Sequence, residues 1–544
     1  MSAINRSIGG TARLSLDQAV FLVLLLAAGA GYCLPPINPD EGAIFDFATR
    51  MLAGKSLYTD LVDVNPPLIF LLNLVPAWLA KQLALPIPFI ITGCILALPL
   101  LGWRSLWRFA GLPSESRLVT RLIALVLVYV LILYPGAEFS QREHLLLLAT
   151  IPYLVNVHDF IAGIASSRRT RILQSLPFAV MVCLKPHFAL LPLVLEAAAF
   201  IATVRRRRPC IRLEAAILLA TGLACLVGTL VFFPAYLARI LPLAGHYYGI
   251  ADGSLLAHAL FGEEGRQLLL ALALLLLLQV FLLRRLWLGL MLLAIFALYL
   301  AAALQLKDWF YHFLPAHALA LLASFCCATT LIVERFREIR DRLVRRAAVF
   351  VVMPLFLAVS LPEMSDSGGE TAPPLPYPAQ RGFADDGWAA VRTIVGRYAE
   401  DKSVMWLSQY NEGTARVAAY AHASLVAPTM SLWMLPALYE RHEVRDGKVV
   451  FHEPRAMSAD EKWLWNAVAL AFSRSAPPVL VYVKDDPGFI NGRFDYIEYF
   501  SMNPRFRARL ASYRVAYEDA TVRVYVREPN RTLLARVAGE TETH

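Results

Sequence analysis

The stretch INPDEGAIFDFATRMLAGKSLYTDLVDVNPPL, Ile37 to Leu68, decides how this chain is read. It follows an apolar run from Leu16 to Leu34 that is long enough to cross a bilayer, for which about 17–25 residues suffice. Yet it carries Asp40, Glu41, Asp46, Asp60 and Asp63. Ionisable groups at membrane depth are costly, so acids set at the end of a first membrane segment are functional candidates.

The rest of the chain supports the membrane setting. Of its 544 residues 58% are hydrophobic and only 17% charged, and the mean hydropathy is +0.54. Soluble domains carry about 25% charged residues, so this much apolar surface calls for lipid. The net charge of +9 comes from arginines clustered in short loops. That pattern is what cytoplasmic loops show, and no basic face with interleaved aromatics suggests nucleic acid. The seven cysteines, Cys33 to Cys327, lie in or beside apolar runs. They suggest neither a disulfide framework nor a zinc site. Arg6 and Arg13 ahead of the first run resemble a signal peptide, but the run is long and Tyr32 before Cys33 does not suit a lipoprotein cleavage box. An uncleaved first membrane helix is expected.

Apolar runs fall near 16–36, 86–104, 118–135, 143–162, 172–184, 187–204, 212–233, 266–283, 286–304, 311–333 and 345–362. Arginines mark inside loops at 104–117, 168–171, 205–208, 284–285 and 335–346. The chain must then leave and return between Arg171 and Arg205, turning at CLKPHFAL with Lys185 and His187 on the outer side. By the same logic the stretch from Pro66 to Leu83 cannot cross. It is expected to lie along the outer interface as a helix started by Pro66 and Pro67. The expected fold is a polytopic α-helical membrane protein of about eleven spans, with the N-terminus cytoplasmic. Residues 1–362 form the membrane domain with an acidic outer loop at 37–85, 363–383 a Gly/Pro/Ser-rich linker, and 384–544 a small extracytoplasmic α/β domain. Within that last part Asp385 or Asp386 is expected to cap a helix running through Tyr398. SVMWLS and PPVLVYVKDD read as strands, VAYEDATVRVYVRE as a hairpin, and SADEKWLWNAVALAFSR as a helix opened by Ser458 and Glu461.

With this topology the unusual polar residues gather on the outer side. They are Asp40 and Glu41; Arg142 and Glu143 in EFSQREH; Lys185 and His187; His246 in GHYYG; and Lys307 and His312 in QLKDWFYHFLP. Carboxylates and cations on one membrane face suit a specific chemistry. A carboxylate can deprotonate an acceptor hydroxyl, while cations hold a phosphate and stabilise the charge it gains on leaving. A lipid-phosphate-linked sugar presents its phosphate at that level. Plainer roles compete: Asp40 and Glu41 as helix caps, Arg142 and Glu143 paired with each other, Lys185 snorkelling, and His246 and His312 as structural groups.

The acidic stretch resembles the first extracytoplasmic loop of the C-fold glycosyltransferases, closest to the protein O-mannosyltransferase and aminoarabinose lipid A transferase branch. The resemblance is carried by Asp40-Glu41, by Gly54, Tyr58 and Asp60 in GKSLYTD, and by Pro66-Pro67-Leu68, at this spacing after a first span. It implies inverting transfer of a sugar from a polyprenyl phosphate to a lipid, glycan or protein hydroxyl, at a bacterial inner membrane. It places Asp40 at the acidic catalytic position. Glu143 stands about where a second acidic motif belongs, although SQREH departs from the usual Asp-containing form. The expected catalytic residues are Asp40, Glu41 and Glu143, and the donor-phosphate residues Lys185, Arg142 and His187. Tyr58, Asp60, Lys307, His312 and His246 are expected around substrate. No cofactor is certain; an acid-rich loop can hold a divalent cation, but no ligand set is defined. The competing class is a transporter or flippase of lipid-linked glycans, which would place charge near the bilayer midplane and show repeat symmetry. This chain shows neither.

Overall fold

A computed structural model describes residues 14–33, 37–206, 211–248, 253–335, 388–399, 402–418, 421–484 and 493–528. The chain divides into two compact units, one of residues 1–33, 92–223 and 253–380 and the other of 34–91, 224–252 and 381–544. The acidic loop clusters with the C-terminal region rather than with the membrane helices.

The first unit is helical. Every apolar run read from the sequence up to residue 333 coincides with helix. The run 345–362 lies outside the described residues, as do the linker and both expected caps, Asp385 and Asp386. Among the described residues seven helices are long and apolar enough to cross a membrane, or eight if Ile87–Leu101 and Trp103–Ala110 count as one span bent by 57°. The expectation of about eleven also counted Arg117–Val128 and Arg168–Val182. Each is shorter than a full span, and the first is extended by a π-helical turn, Tyr129–Leu133. The bend falls at Gly102, where a Cβ would sit 2.9 Å from the Pro152 ring. Helices Arg142–Ala162, Leu286–Ala303 and Phe310–Arg335 form the buried centre of this unit.

The second unit joins the acidic loop to an α/β domain. Its helix Pro39–Leu52 is capped by Asn38, whose Oδ1 accepts from the Asp40 and Glu41 amides at 3.0 and 3.2 Å. This corrects the reading of Asp40 and Glu41 as the cap. Pro39 fixes φ at the first helical position, so the helix starts earlier and the two acids occupy its first turn. Helix Pro67–Leu83 follows, opened by Pro66 and Pro67. It buries Ile69, Phe70 and Ala77, and leaves Leu71, Val75 and Trp78 exposed.

The α/β domain is built on a five-stranded sheet in which the strands 424–425, 403–407, 479–483, 522–527 and 513–518 lie side by side in that order. Its strands are β1 (Ser403–Leu407), β2 (Ser424–Leu425), β5 (Val479–Val483), β6 (Tyr513–Glu518) and β7 (Val522–Arg527); β3 (Val444–Arg445) and β4 (Lys448–Val449) form a separate ribbon. Strand β1 runs parallel to β2 and β5, while β7 is antiparallel to β5 and β6. Alternate residues of β1 serve two cores. Met405 and Leu407 join Leu464, Trp465 and Phe472 of the helix Ala459–Ser475, whereas Val404 and Trp406 join Val391 and Val395. Both faces are covered, which explains why β1 and β5 read as unbroken apolar runs. Ser458 caps the helix through the Glu461 amide, and the Glu461 carboxylate turns to Tyr439, Tyr499 and His452.

The acidic helix is seated on this domain within the second unit. Asp46 accepts from the Leu425 amide at 3.1 Å, Arg50 donates to the Ala427 carbonyl at 2.9 Å, and the Val62 amide donates to the Pro428 carbonyl at 2.7 Å. Asp46 and Arg50 also pair with each other at 3.4 Å. Burial pushes the Asp46 carboxyl above its usual range, against the pull of Arg50 and the Leu425 amide.

Candidate active site

In the first unit, cations from three connections converge. Arg142 opens the helix Arg142–Ala162. Lys185 lies in extended backbone after the helix Arg168–Val182, and His187 in the 3-10 turn Pro186–Ala189 that Pro186 starts. Lys307 and His312 flank the start of the helix Phe310–Arg335. Lys185, Lys307 and Arg142 all bear electrostatically on His312, and Lys185 and Arg142 on His187. Lys185 Nζ lies 5.5 Å from the Tyr311 ring centre, and Lys307 Nζ 4.1 Å from that of Trp309.

Glu143 is the acid tied into this group. It is fully buried, and Lys185 donates to its Oε1 at 2.5 Å and to Gln305 Oε1 at 2.7 Å. The suggested pairing of Arg142 with Glu143 is therefore corrected. Successive residues on a helix point in different directions, and Lys185 takes the carboxylate. Glu143 Oε2, His187 Nε2 and His312 Nδ1 are buried with no hydrogen-bond partner among the described residues. Buried polar atoms in that condition call for an explanation such as a bound group. His144 has a different role. Its Nδ1 accepts from the Ser140 amide and its Nε2 meets the Leu131 carbonyl at 2.8 Å, so both nitrogens are used to brace the loop.

In the second unit, Asp40 and Glu41 sit in the first turn of their helix, where the helix dipole favours negative charge. Glu41 is buried; Asp40 is half-buried and accepts from Asn411 Nδ2 at 3.0 Å. Tyr58 is also buried, at φ +66°, a left-handed conformation rare for an aromatic residue. Its hydroxyl donates to the Asn65 carbonyl at 2.6 Å, and its ring packs on Phe70, Phe233 and Tyr236. Asp63 Oδ1 accepts from the Asn65 amide and side chain at 2.8 and 2.7 Å. Tyr58 thus holds the turn before Pro66 in shape. Asp60 is exposed and accepts from the Ser56 amide. His246 is exposed on the π-helical turn Ala244–Tyr248 against the Tyr247 ring. A cavity of about 680 Å³ runs between this helix, helix Pro67–Leu83 and the α/β domain, bordered by Gly42, Asp46, Lys81, Thr414 and Ser424. None of the candidate residues borders it. Among the described residues no group of three or more His, Cys, Asp or Glu side chains is disposed to hold a metal.

Sequence reasoning did not single out Asn411 or Gln305, nor a second polar network in the first unit. There Arg108 forks onto Asp159 at 2.7 Å, and Arg171 forks onto Glu214 at 2.6 Å. Arg212 bridges Glu196 and Glu214 and also bonds Asn156. Arg108 and Arg171 read from sequence as marks of topology; the acids that answer them, Asp159 and Glu214, lie inside apolar runs and are the signal for this network.

The fold is that of a polytopic helical membrane protein with a small C-terminal α/β domain. Among solved structures the chain is similar to ArnT from Cupriavidus metallidurans bound to undecaprenyl phosphate, with a TM-score of 0.52 and 13% identity over 95% of this chain and 99% of that one. It is also similar to the same protein in the apo state, with a TM-score of 0.50 and 12% identity over 94% and 99%. ArnT belongs to the aminoarabinose lipid A transferase branch that the acidic loop resembles. No family model and no curated protein matches the sequence.

Proposed function

We propose that this protein is a membrane glycosyltransferase that moves a sugar from a polyprenyl phosphate to a hydroxyl of an envelope lipid, glycan or protein. The cation cluster of the first unit carries this reading. Arg142, Lys185 and Lys307 bring three cations to a group that holds one buried acid, Glu143, with the buried ring nitrogens of His187 and His312 beside it. Such a group suits a lipid phosphate, and the similar ArnT structure is bound to undecaprenyl phosphate. The positive-inside reading puts the N-terminus in the cytoplasm and the α/β domain outside, at a bacterial inner membrane.

In this reaction Asp40 takes the proton of the acceptor hydroxyl. The oxygen attacks the anomeric carbon with inversion, and the bond to the phosphate oxygen breaks. The polyprenyl phosphate leaves with an added negative charge, which Arg142 and Lys185 stabilise. A guanidinium grips phosphate with two parallel hydrogen bonds where an ammonium acts as a point charge. Arg142→Lys should therefore lower turnover more than Lys185→Arg does.

The test is Asp40→Asn in the full chain, in nanodiscs, with synthetic undecaprenyl-phosphate sugars and an envelope extract as acceptor source. Release of undecaprenyl phosphate should fall about 10²–10⁴-fold while donor binding is kept. Near-normal release would remove Asp40 as the base and turn attention to Glu41. Mass spectrometry of envelope glycolipids and glycans, with and without the active protein, identifies the product; translocation of intact donor without product would favour a flippase.

A further inference from the structure

We infer that Asn411, in the α/β domain, is a positioning residue for Asp40, so that the domain holds the catalytic carboxylate in its working orientation. The inference rests on the assignment of Asp40 as the base.

Three observations carry it. First, Asn411 Nδ2 donates to Asp40 Oδ1 at 3.0 Å, within the second unit. The opposite orientation of the amide would set its carbonyl oxygen against a carboxylate, so the donor orientation is the one compatible with an ionised Asp40. Second, the contact falls at the end of the helix where orientation matters. Asp46, Arg50 and Val62 already fix the body of the loop to the domain through Leu425, Ala427 and Pro428. Asn411 instead contacts the Asp40 side chain itself. Third, Asn411 Oδ1 is buried with no hydrogen-bond partner among the described residues. An amide kept for structure would satisfy both ends, because an orphan acceptor is destabilising. A general base needs a third group to orient it. A neutral donor suits that role, since it orients the carboxylate without the ion pair that a lysine would impose.

The experiment compares Asn411→Leu, Asn411→Gln and Asn411→Asp with the parent as full chains in nanodiscs. Release of undecaprenyl phosphate, donor affinity and thermal stability are read in parallel. Asn411→Leu should lower kcat about ten- to a hundred-fold, the loss of one hydrogen bond to a charged group, with the donor KM unchanged. Asn411→Gln keeps a donor and should recover part of the rate. Asn411→Asp matches the parent in shape but sets like charge against Asp40, so it should be the slowest of the three. A merely structural role predicts the reverse, with the isosteric Asp better than Leu and rate following stability. That order, or an unchanged kcat in Asn411→Leu, overturns the inference. Near-normal release by Asp40→Asn would overturn both this inference and the base assignment, whereas dependence on Asp40 with indifference to Asn411 overturns the positioning role alone.

Discussion

The Lys185 ammonium stands 2.5 Å from the Glu143 carboxylate, and Glu143 has no solvent exposure. The pair therefore has two claims on Lys185: it neutralises a buried acid, and it is the proposed ligand of the donor phosphate. Removing one partner of a buried ion pair strands the other charge, at a cost of about 3–5 kcal/mol.

That double duty can be separated. Lys185→Ala should lower both stability and donor affinity. Adding Glu143→Gln removes the stranded charge, so the double variant should regain stability yet keep the weak donor binding. Recovery of donor affinity in the double variant, measured on nanodiscs, would show that Lys185 only balances Glu143.

The second polar network of the first unit should matter for folding and not for the donor. Glu214 is buried between Arg171 and Arg212. Glu214→Ala removes a partner of both arginines but leaves Arg212 with Glu196 and Asn156, and should destabilise the protein by about 1.5–3 kcal/mol. Donor affinity of the folded fraction should match the parent. A thermal melt in detergent beside a binding isotherm distinguishes the two effects.

Tyr58 gives a third expectation. Tyr58→Phe loses the hydrogen bond to the Asn65 carbonyl and should cost about 1 kcal/mol, with transfer preserved. Tyr58→Gly relieves the left-handed backbone but empties the space among Phe70, Phe233 and Tyr236, and should cost more. A large loss of transfer in Tyr58→Phe at unchanged stability would instead mark the hydroxyl as a substrate contact.

Asp46 supplies a pH dependence. Its folded carboxyl is raised above the usual aspartate value by burial. The folded state therefore holds the proton more tightly than the unfolded chain. The stability linked to this group is fully present below the ordinary aspartate value and declines as pH rises through the raised one. The stability of the parent relative to Asp46→Asn should fall as pH is raised through that window. A flat difference between the two melting curves would show that Arg50 and the Leu425 amide cancel the cost of burial.

Much of this arrangement is visible in the sequence, and the reasons differ by residue. The apolar runs and the arginine marks give the helices, because each is a local property of about twenty residues. Pro66 and Pro67 give the start of their helix for the same reason. The Asn38 cap is legible in the same way, since Pro39 marks the first helical position, although the adjacent acids Asp40 and Glu41 are capping residue types as well. Lys185 and Glu143 were each singled out as unusual, yet their pairing spans 42 residues. No local pattern encodes it. Asn411 carries no motif at all; its meaning comes from a contact with a residue 371 positions earlier.

That separation also sets a schedule. Asp40 leaves the ribosome early, and Asn411 is made 371 residues later. At roughly 5–20 residues per second, synthesis alone imposes a wait on the order of tens of seconds before the helix Pro39–Leu52 can be seated. During that interval Asp46 and Arg50 lack their partners at Leu425 and Ala427. A nascent chain must therefore be kept from misassembly until its last third arrives, which makes delivery of the C-terminal region to the same side of the membrane the gate for maturation.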